Sequence, residues 1–181
     1  MSRPPLPKIR PIRDEEFAQL EMIENDADRL LIDTLRPTRW DPAPPGSTRQ
    51  GHDGLVLVAQ DDTNSHQDSL DGFIDIRYFD GATAYVDVLA VRRRSMRQGI
   101  GRRLLRNGAL MATRAGMTSL TLRTYRSIDF NGPFYASEGF ATFTPPSEAH
   151  WAADVLTAER RAGLPRSEDC VFMRMPLEFA G

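Results

Sequence analysis

With 181 residues, 40% hydrophobic and 27% charged, the chain is long enough for one well-buried core and too short for two independent domains of ordinary size. A formal net charge of -2 argues against a general nucleic-acid binder, which carries a basic excess. No apolar run approaches the roughly 18 residues of a membrane span, and Met1 does not open a basic-then-apolar leader, so a soluble, cytoplasmic protein without a membrane partner is expected.

In chain order, residues 1–8 are proline-rich and read as the flexible tail of a single domain expected over residues 1–181. Ile9 to Arg13 contains Pro11 and fits a short edge strand, where a missing N–H is tolerated. From Asp14 to Leu35 the apolar residues Phe17, Leu20, Ile23, Ala27, Leu30 and Leu31 recur at helical spacing. The face between them is acidic, with Glu15, Glu16, Glu21, Glu24, Asp26 and Asp28. One helix or two, broken near Asn25 to Asp28, fit this pattern equally. Arg36 to Ser47 is proline-rich and forms a loop that holds Trp40.

Leu55 to Ala59 and Phe73 to Tyr78 are strands in hairpin order, joined across the polar stretch from Asp61 to Asp71, and Gly81 marks the next turn. Thr83 to Val91 is apolar on both faces, as a central strand is. After Gly99 a helix carries Ile100, Leu104, Gly108, Met111, Ala112 and Ala115 on one stripe and stops at Gly116. Thr118 to Tyr125 is the strand that follows, and strand–helix–strand implies a parallel crossover. Asn131 to Gly139 is a short helix with an early proline and a terminal glycine. A strand from Phe140 to Phe143, a surface helix from Glu148 to Ala162 and a last strand from Val171 to Pro176 complete the chain. Cys170 is the only cysteine, so no intrachain disulfide forms, and its apolar neighbours mark a buried thiol.

The most informative stretch is Val88 to Leu105: an apolar strand, a basic turn with Arg92, Arg93, Arg94 and Arg97, and a Gly99-Ile100-Gly101 helix start. Such a helix start aims unpaired N–H groups and the positive end of the helix dipole at the turn, and flanking arginines add charge-assisted donors. The implied ligand is a small anion, a phosphate above all. A dinucleotide-binding fingerprint is disfavoured, because its third glycine position is Leu104 and the motif lies in mid-chain after an antiparallel region. His52, His66 and His150 lack metal-ligand spacing and no serine-nucleophile elbow is present, so neither a metal site nor hydrolase chemistry is expected.

The stretches Tyr85 to Leu105 and Asn131 to Phe140 together resemble the GCN5-related N-acetyltransferase (GNAT) family. The family's loop pattern, Gln/Arg-x-x-Gly-x-Gly/Ala, falls on Met96 to Gly101, with Met96 replacing the polar first residue. The resemblance implies an α/β (α+β) fold: a mixed central sheet of about six to seven strands, antiparallel in its N-terminal half, a parallel crossover, and flanking helices. It also implies acetyl-CoA as cosubstrate and a possible homodimer. The pyrophosphate then lies on Arg97, Gln98, Gly99, Ile100, Gly101 and Arg102. The strand Leu89-Ala90-Val91 pairs its backbone with the pantetheine arm, and Leu89 N–H holds the developing oxyanion. Arg92, Arg93 and Arg94 divide between phosphate contact and a solvated face.

Asn131-Gly132-Pro133-Phe134-Tyr135 resembles the family's Asn-x-Pro-Phe-Tyr form, which implies that Tyr135 faces the coenzyme sulfur and that Asn131 contacts the coenzyme arm. A thiolate with a pKa of about 8.5 takes a proton from a phenol near 10 when the two are held in hydrogen-bond reach. Asn131 also fits a plain helix cap, and Tyr135 a packed aromatic. Asp87 interrupts an apolar strand two residues before Leu89, hence on its face, and is the candidate base acting through a water; pairing with Arg77 is the alternative reading. Asp75 reads as solvated or paired and not catalytic. Glu24, Trp40 and Tyr125 are the expected acceptor-site residues. The resulting expectation is N-acetyl transfer to a primary amine of a small molecule or peptide; the competing class is a catalytically silent acyl-CoA sensor or partner-binding module.

Overall fold

The structure, a computed structural model, describes residues 7–60, 70–79 and 82–178. Its elements are β1 (Lys8–Pro11), a 3-10 turn (Asp14–Gln19), α1 (Leu20–Leu35), a second 3-10 turn (Gly46–Arg49), β2 (Gly54–Gln60), β3 (Leu70–Phe79), β4 (Thr83–Val91), α2 (Ile100–Arg114), β5 (Ser119–Tyr125), α3 (Gly132–Ser137), β6 (Ala141–Thr142), α4 (His150–Ala162) and β7 (Cys170–Pro176). The strands form one seven-stranded sheet in the order β1-β2-β3-β4-β5-β7-β6. All neighbours are antiparallel except β4 and β5, which run parallel and are joined by α2. This is the mixed sheet the sequence implied, with the proline-containing β1 at an edge.

Of the expected tail, residues 1–6 lie outside the described residues. Pro7 is buried, its carbonyl accepts a hydrogen bond from Arg103 Nη1, and Lys8 already begins β1. Pairing to β2 orders Lys8, and the bond from Arg103 holds Pro7. The expected loop residues 61–69 and the Gly81 turn also lie outside the described residues, whereas Leu70 and Asp71 belong to β3.

The sheet buries a core on each face. On one face Leu104 of α2 packs with Leu57, Ile74, Ile76, Val86 and Leu120 of the sheet. Gly108 lets the helix lie close on the sheet: a Cβ there would stand 2.6 Å from Ile76 Cδ1, and the end of that side chain would have to shift. On the other face Leu20 and Ile23 of α1 pack with Val58, Phe73 and Ala90 of the sheet. α1 runs without a break through Asn25 to Asp28; the change of helix type comes earlier, at Gln19 and Leu20. The polar side chains at the expected break turn outward. Asn25 Oδ1 accepts the Ala43 N–H at 2.8 Å and Asp28 Oδ2 accepts Trp40 Nε1–H at 3.2 Å, so neither competes for the helix backbone. A smaller aromatic cluster of Tyr85, Trp151 and Phe172 seats α4. No helix among the described residues is long and apolar enough to cross a membrane.

Candidate active site

The site begins where β4 leaves β5. Their parallel register covers only Thr83 to Tyr85 against Ser119 to Thr121, and beyond it the two strands separate. On its other side β4 remains paired to β3 as far as Val91, and Arg92 N–H donates to the Asp71 carbonyl at 2.8 Å. Antiparallel alternation then turns the backbone of Ala90 toward β3. The N–H and C=O groups of Leu89 and Val91 face the edge that β5 has vacated. Such an edge is a template for an extended ligand carrying its own amides.

The chain next enters the basic turn, whose arginines divide unexpectedly. Arg92 Nε donates to the Leu70 carbonyl at 2.9 Å, Arg94 pairs with the buried Asp71 at 3.3 Å, and Ser95 Oγ donates to the same Asp71 oxygen at 2.7 Å. Arg93 is held by α1, its N–H donating to Asp26 at 2.8 Å and its guanidinium lying 3.4 Å from Asp33. These three arginines fasten the turn to the protein. Arg97 is the exception: it is exposed, lines the cleft and has no partner among the described residues.

Arg97 at φ 59° and Gly99 at φ 81° bend the backbone into α2, and no side chain caps that helix. A side chain at position 99 is disfavoured by the left-handed backbone alone, since space around it is open. The first amide bonded back into the helix is Arg103, to the Gly99 carbonyl at 3.1 Å, so Ile100, Gly101 and Arg102 direct unpaired N–H groups into the turn. Their geometry suits an anionic oxygen, reinforced by the helix dipole. Met96 lines the same cleft. The side chain of Gln98 is not part of the lining; its Nε2 donates back to the Arg94 carbonyl at 3.3 Å. Arg102, with Arg106, holds Glu138 just beyond α3, so only its backbone is directed at the turn.

The opposite wall comes from the segment leading into α3. Asn131 does not cap the helix through its side chain; Nδ2 donates to Thr124 Oγ1 at 2.9 Å, which replaces the cap reading with a tie to β5. Tyr135 packs edge-on against Phe134 and Phe140, with ring centroids 5.0 and 5.6 Å away. Its ring lines the cleft, its hydroxyl has no partner among the described residues, and burial pushes the phenol above its ordinary range. The cleft between these walls has a volume of about 790 Å³.

At the α1 end the cleft turns acidic. Glu24 and Asp28 reach it from α1 and Asp87 from β4. The register slips between Asp75 and Ile76, so that Asp87 is an extra residue on β4, a β-bulge. The bulge overturns the simple alternation expected from sequence. Leu89 packs on the α2 side, while Asp87 turns with Val88 to the α1 side. There Asp87 Oδ2 lies 3.1 Å from Arg49 Nη1 and 3.2 Å from Arg77 Nη2. The pairing with Arg77 read from sequence is thus present, together with an arginine that was not foreseen.

Arg49, only 4% exposed, also contacts Glu24 at 2.6 Å and Asp75 at 2.9 Å, and its guanidinium lies 5.7 Å from the Phe73 ring centroid. Asp75 is fully buried and paired with Arg49, not solvated, and its other oxygen lies 2.7 Å from His52 Nε2. Burial pushes the Glu24 carboxyl up to about 7 despite Arg49, with Asp28 and Asp87 adding to the rise. Asp28 is raised as well, mainly by burial. Nothing in the polar run Gly46 to Arg49 singles out its arginine; the available signal was Asp75, an acid in an apolar strand that required a buried cation.

Two expected acceptor-site residues lie outside the lining. Trp40 packs behind Asp28 as its hydrogen-bond donor, and Tyr125 is buried with its hydroxyl donating to the Pro165 carbonyl at 2.7 Å. Both sit behind the wall because their side chains serve the loop and strand contacts around α1. Cys170 is buried as expected, and burial pushes its thiol up to about 12.

A family model described as an acetyltransferase (GNAT) domain matches residues 52–142. The fold is similar to that of the ribosomal-protein-S18-alanine N-acetyltransferase of Escherichia coli, at 19% identity and a TM-score of 0.66, with 96% of each chain covered. It is also similar to a GNAT acetyltransferase of Staphylococcus aureus, at 15% identity and a TM-score of 0.68, over 94% of this chain and 99% of that one. A third similar structure is the Paia N-acetyltransferase of Thermoplasma acidophilum in complex with coenzyme A, at 15% identity and a TM-score of 0.63, over 93% of this chain and 98% of that one.

Proposed function

The chain belongs to the acetyltransferase (GNAT) family, and from that premise we propose that it transfers an acetyl group from acetyl-CoA to a primary amine of a small molecule or peptide by direct attack. One observation carries the reading: the unpaired backbone edge of Leu89 and Val91 lies in a single cleft between the uncapped helix start at Gly99 and the hydroxyl-bearing ring of Tyr135. Each part matches a part of the cosubstrate. The amides of Ile100, Gly101 and Arg102, with the Arg97 guanidinium, suit a diphosphate, and Gln98 contributes backbone alone. The Leu89–Val91 edge suits the two amides of the pantetheine arm, and Asn131 borders the same channel.

In the reaction Leu89 N–H stabilises the oxyanion that develops when the amine nitrogen attacks the thioester carbonyl. Tyr135, protonated at neutral pH, donates its phenolic proton to the departing sulfur. The acidic end of the cleft, Glu24 and Asp87, receives the acceptor, where a water on Asp87 bridges to the amine.

The test is thiol release from acetyl-CoA across a panel of polyamines, aminoglycosides, amino acids and peptide N-termini. Turnover with an amine supports transfer; tight coenzyme binding with no thiol release on any acceptor identifies a silent acyl-CoA-binding module. Tyr135→Phe lowers kcat by about 100-fold or more with KM for acetyl-CoA little changed. Full activity in that variant removes the tyrosine from the role.

A further inference from the structure

The carboxylates at the acidic end of the cleft are held unequally. Asp87 gives one oxygen to two guanidinium groups, those of Arg49 and Arg77. Asp75 is fully buried between Arg49 and His52. Glu24 meets a single guanidinium: Oε2 accepts from Arg49 Nη2 at 2.6 Å, while Oε1 has no partner among the described residues. Glu24 also lines the cleft directly from α1. We propose that Glu24 takes the proton from the acceptor amine and that Arg49 is its positioning residue; this rests on the acyl-transfer reading above.

A proton placed on Asp87 must weaken two ion pairs, whereas a proton on Glu24 weakens one and uses an oxygen already free. The groups facing Glu24 are the Arg49 guanidinium from the 46–49 turn, Asp28 on its own helix and Asp87 from β4. Arg77 and Asp75 complete the cluster from β3, with His52 behind Asp75. The cluster sets four carboxyl groups, those of Glu24, Asp28, Asp75 and Asp87, against two guanidinium groups, those of Arg49 and Arg77, so it holds more acids than cations and has room for a proton. Burial directs that proton to Glu24, pushed up to about 7, near the operating pH that suits a general base. Asp87 then serves to fix the two guanidinium groups and to hold the water beside the amine.

The step balances as follows. The ammonium gives one proton to Glu24, the free nitrogen pair forms the C–N bond, and the C–S bond breaks with its electron pair leaving on sulfur. The thiolate takes the Tyr135 proton. Of the two protons that nitrogen loses, one restores the phenol and the other leaves to solvent.

The experiment compares ethylamine with 2,2,2-trifluoroethylamine, similar in shape but already unprotonated at neutral pH, as acceptors for wild type, Glu24→Gln, Asp87→Asn and Arg49→Lys. Glu24→Gln loses about 100-fold or more in kcat/KM for ethylamine and less than about tenfold for the fluorinated amine. For wild type, kcat/KM with ethylamine rises with pH through about 7 as Glu24 ionises, and in Arg49→Lys that limb moves to higher pH. Equal losses for both amines in Glu24→Gln, or a larger selective loss in Asp87→Asn, overturn the proposal.

Absence of thiol release by wild type with every amine overturns instead the acyl-transfer reading. A titration of carbon-13-labelled glutamate carboxyls, assigned with Glu24→Gln, needs no acceptor. A Glu24 transition near 7 that moves in Arg49→Lys supports the proposal. One at the ordinary value of about 4.3 overturns it.

Discussion

Arg49 is the single residue on which the buried charge cluster turns, and replacing it with methionine isolates its electrostatic role. Methionine keeps an unbranched apolar stem against Phe73 but removes the contacts to Glu24, Asp75 and Asp87. The side chains of Glu24 and Asp87 are 14% and 32% exposed and can recover some hydration. Asp75 is 0% exposed and cannot. The cost therefore concentrates on Asp75. Removing one partner of a buried pair costs about 3–5 kcal/mol, and the His52 contact on the other oxygen places Arg49→Met at the lower end, about 3 kcal/mol. For a chain of this length that corresponds to a fall in Tm of about 6–12 °C.

The assay is urea unfolding of wild type, Arg49→Met, Asp75→Asn and the double variant, followed by circular dichroism. Asp75→Asn removes the charge that Arg49 neutralises, so the double variant recovers at least about 1.5 kcal/mol of the summed single costs. A cost for Arg49→Met below about 1 kcal/mol, or additive effects of the two changes, refutes the assignment of the cluster's stability to the pairing of Asp75.

Arg97→Ala removes the one arginine of the turn that has no partner among the described residues. It raises KM for acetyl-CoA by about 10- to 100-fold, as loss of a charge-assisted hydrogen bond worth about 1.5–3 kcal/mol requires, with kcat nearly unchanged. An acetyl-pantetheine donor, which lacks the diphosphate, shows no such effect; an equal loss with both donors contradicts a phosphate role. Cys170, its thiol pushed up to about 12 by burial, escapes iodoacetamide at pH 8 in the native protein and reacts on unfolding, which mass spectrometry detects. Labelling of the folded protein at the rate of a free thiol contradicts that burial.

Much of the fold and half of the site were legible without coordinates. Strand period, helical stripe, the Gly99 turn and the proline of β1 are local signals, set by side-chain alternation and backbone freedom within a few residues. They placed every strand near its observed position and put the proposed coenzyme half of the cleft on one continuous stretch of chain, Leu89 to Arg102. Its backbone groups are specified by secondary structure alone, because an uncapped helix start leaves amides free whatever packs around it.

The acidic half was not legible, because it is assembled from α1, the 46–49 turn and strands β3 and β4, which are separated in sequence. Only packing brings Arg49 onto Glu24, Asp75 and Asp87, and only the one-residue slip between Asp75 and Ile76 turns Asp87 away from the face of Leu89. Likewise, which arginine of the basic turn stays free was decided by where Leu70, Asp71 and the acids of α1 come to lie. Sequence by itself determined the backbone chemistry of this protein's cleft. The tertiary structure alone decided its charge chemistry, since the state of a buried ionisable group depends on neighbours that no local pattern names.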